Sequence, residues 1–126
     1  MRNTYLKNDT KKDNLILKRG DVFYANLVEN GSIQGGIRPV IIISNDMNNK
    51  YSTVVHVIPV TSKVKKKLPV HVLINKNNIF SSDSQALVEQ LTTINKNDLC
   101  EKKGSLPKDI IEKIETAIRI QLGFAA

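Results

Sequence analysis

The chain has 126 residues, with 19 Lys and Arg against 12 Asp and Glu, for a net charge of +7. That length is one domain with room for a hydrophobic core that needs no staples. The single cysteine, Cys100, excludes an internal disulfide, the longest apolar runs (40–43 and 57–60) are far too short to span a membrane, and the opening MRNTYLKNDTKKDN lacks the apolar segment of a signal peptide, so a soluble, cytoplasmic protein is expected. The basic surplus favours an anionic partner, nucleic acid or an acidic protein, although charge also serves solubility alone.

Residues 1–16 are polar, basic and aperiodic, and read as a disordered tail ahead of a domain over 17–126. DVFYANLV (21–28) alternates as a strand, and ENGSIQGGI (29–37) is a loop by its glycines, Asn30 and Ser32. RPVIIIS (38–44) is an apolar run that predicts a strand buried on both faces, followed by a turn or single helical turn at 45–52. TVVHVIPVT (53–61) predicts a strand whose Pro59 marks a sheet edge or bulge. A basic loop, SKVKKKL (62–68), leads to the strand PVHVLI (69–74), then a loop at 75–84 and one strand over QALVEQLTTI (85–94). SLPKDIIEKIETAIRIQL (105–122) predicts a helix capped by Ser105, with Pro107 in its first turn. Its stripe of Ile110, Ile111, Ile114, Ala117, Ile118 and Leu122 must lie on the sheet. Five short strands and a terminal helix describe a mainly β, α+β domain: a small, strongly bent antiparallel sheet or partial barrel with the helix packed on it.

Pairing 38–44 with 53–61 as a hairpin sets Arg38 opposite or diagonal to Thr61. The same end of the sheet then gathers the glycine-rich loop with Ser32 and Gln34, and the lysines 63 and 65–67. A guanidinium binds two phosphate oxygens at once and stays charged, Gly35 and Gly36 admit a ligand close to the backbone, and Ser32 and Gln34 offer neutral hydrogen bonds. This end is therefore a candidate phosphate site. The competing reading, equally open at this level, pairs Arg38 with a carboxylate such as Glu89 and makes it a structural tie. For Thr61 the competing reading is a strand-end hydroxyl satisfied by backbone. His56 and His71 lie in alternating strands and are read as packing or solvent-facing; no ligand spacing points to a metal, and no nucleotide-loop or hydrolase motif occurs. Aromatic residues are few and tryptophan is absent, so extensive base stacking is not indicated.

KRGDVFYANL, then QGGIRPVIIISND, a strand ending PVT, LPVHV and VEQLTTI together resemble the MazF/PemK toxin family, in order, from Lys18 to about Leu122. The resemblance implies an SH3-like barrel with a C-terminal helix, a homodimer, and a sequence-specific endoribonuclease that cuts single-stranded RNA, but not DNA, without metal or other cofactor. It also implies an acidic antitoxin that occupies the same surface. Carried over by position, the catalytic pair falls on Arg38 and Thr61. Substrate contacts fall on loop 29–37, with Ser32, Gln34, Gly35 and Gly36, and on the polar pair Glu89 and Gln90. Lys63 and Lys65 join them as candidates from their charge alone. The family's reaction is attack of a ribose 2′-OH on the adjacent phosphate, leaving a 2′,3′-cyclic phosphate and a 5′-OH. Family members often carry arginine where this chain has Thr92 and aspartate where it has Asn95. Two rivals are a gyrase-poisoning toxin of the same fold and a non-catalytic RNA-binding module.

Overall fold

The computed structural model describes residues 16–28, 31, 35–63 and 66–124; the expected tail falls almost wholly outside them. Seven strands form one antiparallel sheet: β1 (Asp21–Leu27), β2 (Gly36–Ile42), β3 (Val54–Thr61), β4 (His71–Ile74), β5 (Ser84–Leu87), β6 (Thr92–Asn95) and β7 (Leu99–Ser105). A short helix α1 (Asp46–Tyr51) joins β2 to β3, and α2 (Lys108–Leu122) closes the chain. The strand order is β4-β5-β3-β2-β1-β7, with β6 also paired to β3, so the sheet is open and its outer path ends at β4 and β7.

The bend originates in β3. Its Val54–Val57 half pairs with β6 and its Val60–Thr61 end with β5, while Val57–Pro59 pairs with β2 on the other side. Pro59 is thus not on an outer edge; it sits at the break between two ladders, where a strand tolerates a residue without an N–H. The same break splits the single strand expected over 85–94. Val88–Gln90 form a 3-10 turn between β5 and β6, because one continuous strand cannot follow β3 around the bend.

Alternation along the strands sorts the core into two clusters. One face gathers Val22, Ile41, Ile58, Val60, Val72 and Val88 under Ile111, Ile114 and Ala117 of α2. The other gathers Phe23, Ala25, Val40, Ile42, Val55, Val57 and Leu99. Burying a side chain of this size contributes roughly 1.5–3 kcal/mol. Of the expected helix stripe, Ile110 and Ile118 pack against the first cluster, but Leu122 is exposed. The helix also begins later than expected. Pro107 is its N-cap residue, and Ser105 belongs to β7, its hydroxyl donating to Asp21 Oδ1 at 2.6 Å.

β7, which has no apolar periodicity in LCEKKGS, was not expected. It is held by its partner strand: Phe23 pairs with Lys102 and Val22 with Gly104. Two residues are spanned on β7 for one on β1, so Lys103 is the extra residue of a β-bulge. Gly104 follows at φ 153°, where a Cβ would stand 2.9 Å from Ile79 Cγ1, and only glycine fits.

Several residues of the recurrent motifs prove to be structural. Arg19 donates through its backbone N–H to Asp46 Oδ1 (2.7 Å) and through Nε to the Ile43 carbonyl (3.1 Å), and ion-pairs with Glu115 of α2 (2.6 Å). Asn45 caps α1 by accepting from the Asn48 N–H at 2.8 Å. The Ser44 hydroxyl donates to Asn49 Oδ1 and accepts from the His56 N–H at 3.2 Å.

Candidate active site

The β2–β3 register, Val40 with Pro59 through Ile42 with Val57, continues outward to set Arg38 opposite Thr61. Alternation puts both on the sheet face of Val40 and Val57. Both line an open cleft of about 340 Å³ together with Tyr24, Ser62, Lys63, Phe80, Ser81, Ser82, Ser84 and Lys103. Val60 and Phe80 of the lining belong to the face under α2, so the cleft at this end of the sheet is lined from both faces. Among the described residues the lining holds Arg38, Lys63 and Lys103 and no Asp or Glu.

Arg38 is half-buried at the start of β2. Its Nε donates to the Gly35 carbonyl at 2.9 Å, and among the described residues nothing else bonds the guanidinium, whose two terminal NH₂ groups could bind a ligand. Among the described residues no carboxylate ion-pairs with it. Glu89, the alternative tie, instead pairs with His71 Nε2 at 3.0 Å. The other ring nitrogen of His71 accepts the Leu68 N–H at 3.1 Å, so Nε2 carries the proton and donates it to Glu89. Gly36 has φ 80° with open space where a Cβ would lie, so its backbone conformation is what calls for glycine.

Thr61 is buried, and its Oγ1 accepts the Lys63 N–H at 3.1 Å. With that acceptor site used by the backbone, the hydroxyl proton remains available to donate into the cleft. Of the remaining expected site residues, Lys63 lines the cleft, Lys66 and Lys67 are exposed and not among its lining residues, and Glu89 and Gln90 stand on the 3-10 turn outside its lining. Ser32, Gln34 and Lys65 lie outside the described residues.

Tyr24, Lys103 and the serines of 81–84 were not expected here. The only signal for the serines was the run SSDS, which reads as an ordinary loop. His56 is exposed and bonded to Thr93 Oγ1 at 2.9 Å, and the His71 side chain is almost wholly buried, so neither histidine lines the cleft. Burial, with Asp98 adding to it, pushes the Cys100 thiol up, which makes it a poor nucleophile. Among the described residues no group of three His, Cys, Asp or Glu is placed to hold a metal ion, and no helix is long and apolar enough to cross a membrane.

Residues 18–122 match the family of PemK-like, MazF-like toxins of type II toxin-antitoxin systems. The chain is 42% identical over 111 residues to endoribonuclease EndoA of Bacillus subtilis, covering 86% of this chain and 96% of that protein. It is 45% identical over 111 residues to endoribonuclease MazF of Staphylococcus saprophyticus, covering 86% and 92%. The crystal structure of MazF from Deinococcus radiodurans superposes with a TM-score of 0.76 at 21% identity, over 87% of this chain and 99% of that one. It shares the fold: a bent antiparallel sheet with a C-terminal helix.

Proposed function

Because the chain belongs to the family of PemK-like, MazF-like toxins, we propose that it is the toxin of a type II toxin–antitoxin system and a sequence-specific endoribonuclease acting on single-stranded RNA in the cytoplasm. The observation that carries this reading is the cleft itself. Arg38 and Thr61 meet there among further cations and hydroxyls, with no carboxylate among the described residues of the lining. Such a site suits a phosphodiester and repels nothing anionic.

The reaction is attack of the ribose 2′-OH on its own 3′ phosphate. The new O–P bond closes a 2′,3′-cyclic phosphate as the bond to the 5′ oxygen breaks, and the 2′-OH proton is lost while the leaving oxygen gains one. DNA, lacking the 2′-OH, is not cut. Arg38 binds the phosphate through its two terminal NH₂ groups and stabilises the charge that grows on the phosphorane. The Thr61 hydroxyl donates to a phosphate oxygen and orients it. Gly35 and Gly36 let RNA approach the β2 backbone, Lys63 and Lys65 attract the flanking phosphates, and Ser32 and Gln34 offer neutral hydrogen bonds to the RNA. The catalytic groups come from the chain, with neither metal nor cofactor.

The functional unit in this reading is a homodimer of the domain 17–126, inhibited by an acidic antitoxin that binds across the cationic cleft. Sedimentation at micromolar concentration is expected to give the dimer mass; a stable monomer contradicts it. Incubating labelled RNA with the pure protein in EDTA tests the activity. Discrete products that carry a cyclic phosphate support the nuclease. Retardation without cleavage points to an RNA-binding module, and neither result leaves the gyrase-poisoning alternative.

A further inference from the structure

Tyr24 and Lys103 line the cleft from β1 and β7 and have no part in the chemistry assigned above. Lys103 Nζ donates to the Tyr24 hydroxyl at 3.0 Å and lies 4.5 Å from the centre of its ring. Among the described residues it ion-pairs with no carboxylate. Partly burying an ammonium beside a phenol, with other cations nearby, has a desolvation cost that the ring and hydroxyl return only in part. Two of its three N–H donors remain unused by Tyr24.

The backbone is shaped around this residue. Lys103 is the extra residue of the β7 bulge, and a bulge re-aims a side chain that regular pairing would send elsewhere. The next residue, Gly104, takes a φ of 153° that the bulge requires. Tyr24 pairs with Pro39, the neighbour of Arg38. β1 lies between β7 and β2, with Arg38 opposite Ala25 and Lys103 opposite Val22–Phe23, so the two backbones are two strand spacings apart sideways and two to three residues apart along the strand, roughly 13 Å in all. That separation fits two neighbouring phosphates better than two ligands of one.

We infer that Tyr24 and Lys103 form a second phosphate subsite, which holds an RNA phosphate flanking the scissile one. The inference rests on the nuclease reading of the same cleft. It requires Lys103 to act in binding: its ammonium contacts the phosphate, and Tyr24 positions that ammonium.

A mixed-sequence single-stranded RNA first locates the cut. Short oligoribonucleotides spanning it, with an uncharged methylphosphonate linkage one step to either side, are then assayed with wild-type protein, Lys103→Met, Lys103→Arg and Tyr24→Phe. Lys103→Met is expected to raise KM about tenfold with little change in kcat, and to lower the slope of log KM against log salt by about 0.7, the value for one phosphate contact on a single strand. Lys103→Arg restores most of the loss, and Tyr24→Phe gives a smaller rise in KM. One uncharged linkage raises the wild-type KM by a similar factor and has no further effect on Lys103→Met. An unchanged KM and salt slope in Lys103→Met, or linkage effects that multiply with that substitution, overturns the subsite while leaving the nuclease reading intact. A wild-type protein that cuts no RNA overturns both.

Discussion

Arg38→Ala is expected to lower the cleavage rate by about 10²–10³-fold, the loss seen when one donor to a developing oxyanion is removed, and to leave the protein folded. Only one hydrogen bond of the Arg38 side chain, to the Gly35 carbonyl, is made within the described residues. The side chain is half-buried at a strand end, so truncation opens no core cavity. Arg38→Lys is the sharper comparison. It keeps the charge but has neither the fixed fork nor the geometry that lets Nε anchor the group while the other nitrogens bind phosphate. It is expected to behave nearly like the alanine variant. Thr61→Ala removes a donor to the same phosphate and is expected to cut the rate severalfold or more without unfolding, since the Lys63 N–H it leaves behind is at an exposed position. Single-turnover rates on one oligoribonucleotide, with circular dichroism melts of the same samples, decide the matter. An Arg38→Ala protein that melts far below wild type makes the arginine a structural tie instead.

Asp21→Ala is expected to have the largest effect on stability, about 3 kcal/mol, comparable to breaking a buried charged network. Asp21 is almost fully buried at the start of β1 and accepts from the Lys18 N–H (3.0 Å) and the Ser105 hydroxyl (2.6 Å), with Lys102 Nζ at 3.4 Å. These partners come from the strand entry and from β7, so the carboxylate ties the start of β1 to β7. The ion pair itself is the minor part, because the Lys102 side chain is 39% exposed and such pairs contribute about 1 kcal/mol or less. The larger loss is of the two hydrogen bonds that the buried carboxylate accepts from Lys18 and Ser105, each strengthened by its charge. Lys102→Ala is therefore expected to cost under about 1 kcal/mol, and Ser105→Ala an intermediate amount. Urea unfolding midpoints separate them; equal losses for Asp21→Ala and Lys102→Ala contradict this account.

The same residues show how far the sequence reaches. β1, β2, β3 and β4 were legible because alternation or an unbroken β-branched run announces a strand, and α2 because its isoleucines recur at helical spacing. The hairpin logic of two strands around one turn was enough to bring Arg38 to Thr61. It needed only local pairing, and local pairing is what periodicity encodes. Which partner Arg38 keeps was not legible, since a charge at a strand end suits a carboxylate and a phosphate equally. The structure gives Glu89 to His71 and leaves Arg38 in the cleft lining with no carboxylate partner among the described residues.

What tertiary structure alone decided are the features whose cause lies far along the chain. The break of 85–94 into β5, a 3-10 turn and β6 follows from the curvature of β3, and nothing in QALVEQLTTI itself interrupts a strand. β7 exists because β1 offers a free edge and Asp21 a buried acceptor for Ser105; LCEKKGS has no strand pattern of its own. The Tyr24–Lys103 wall of the cleft depends on that same non-local pairing. The sequence determined the elements that carry their own periodicity and the pair of residues one hairpin brings together; the far wall of the site came from contacts between residues some eighty positions apart, which no local pattern records.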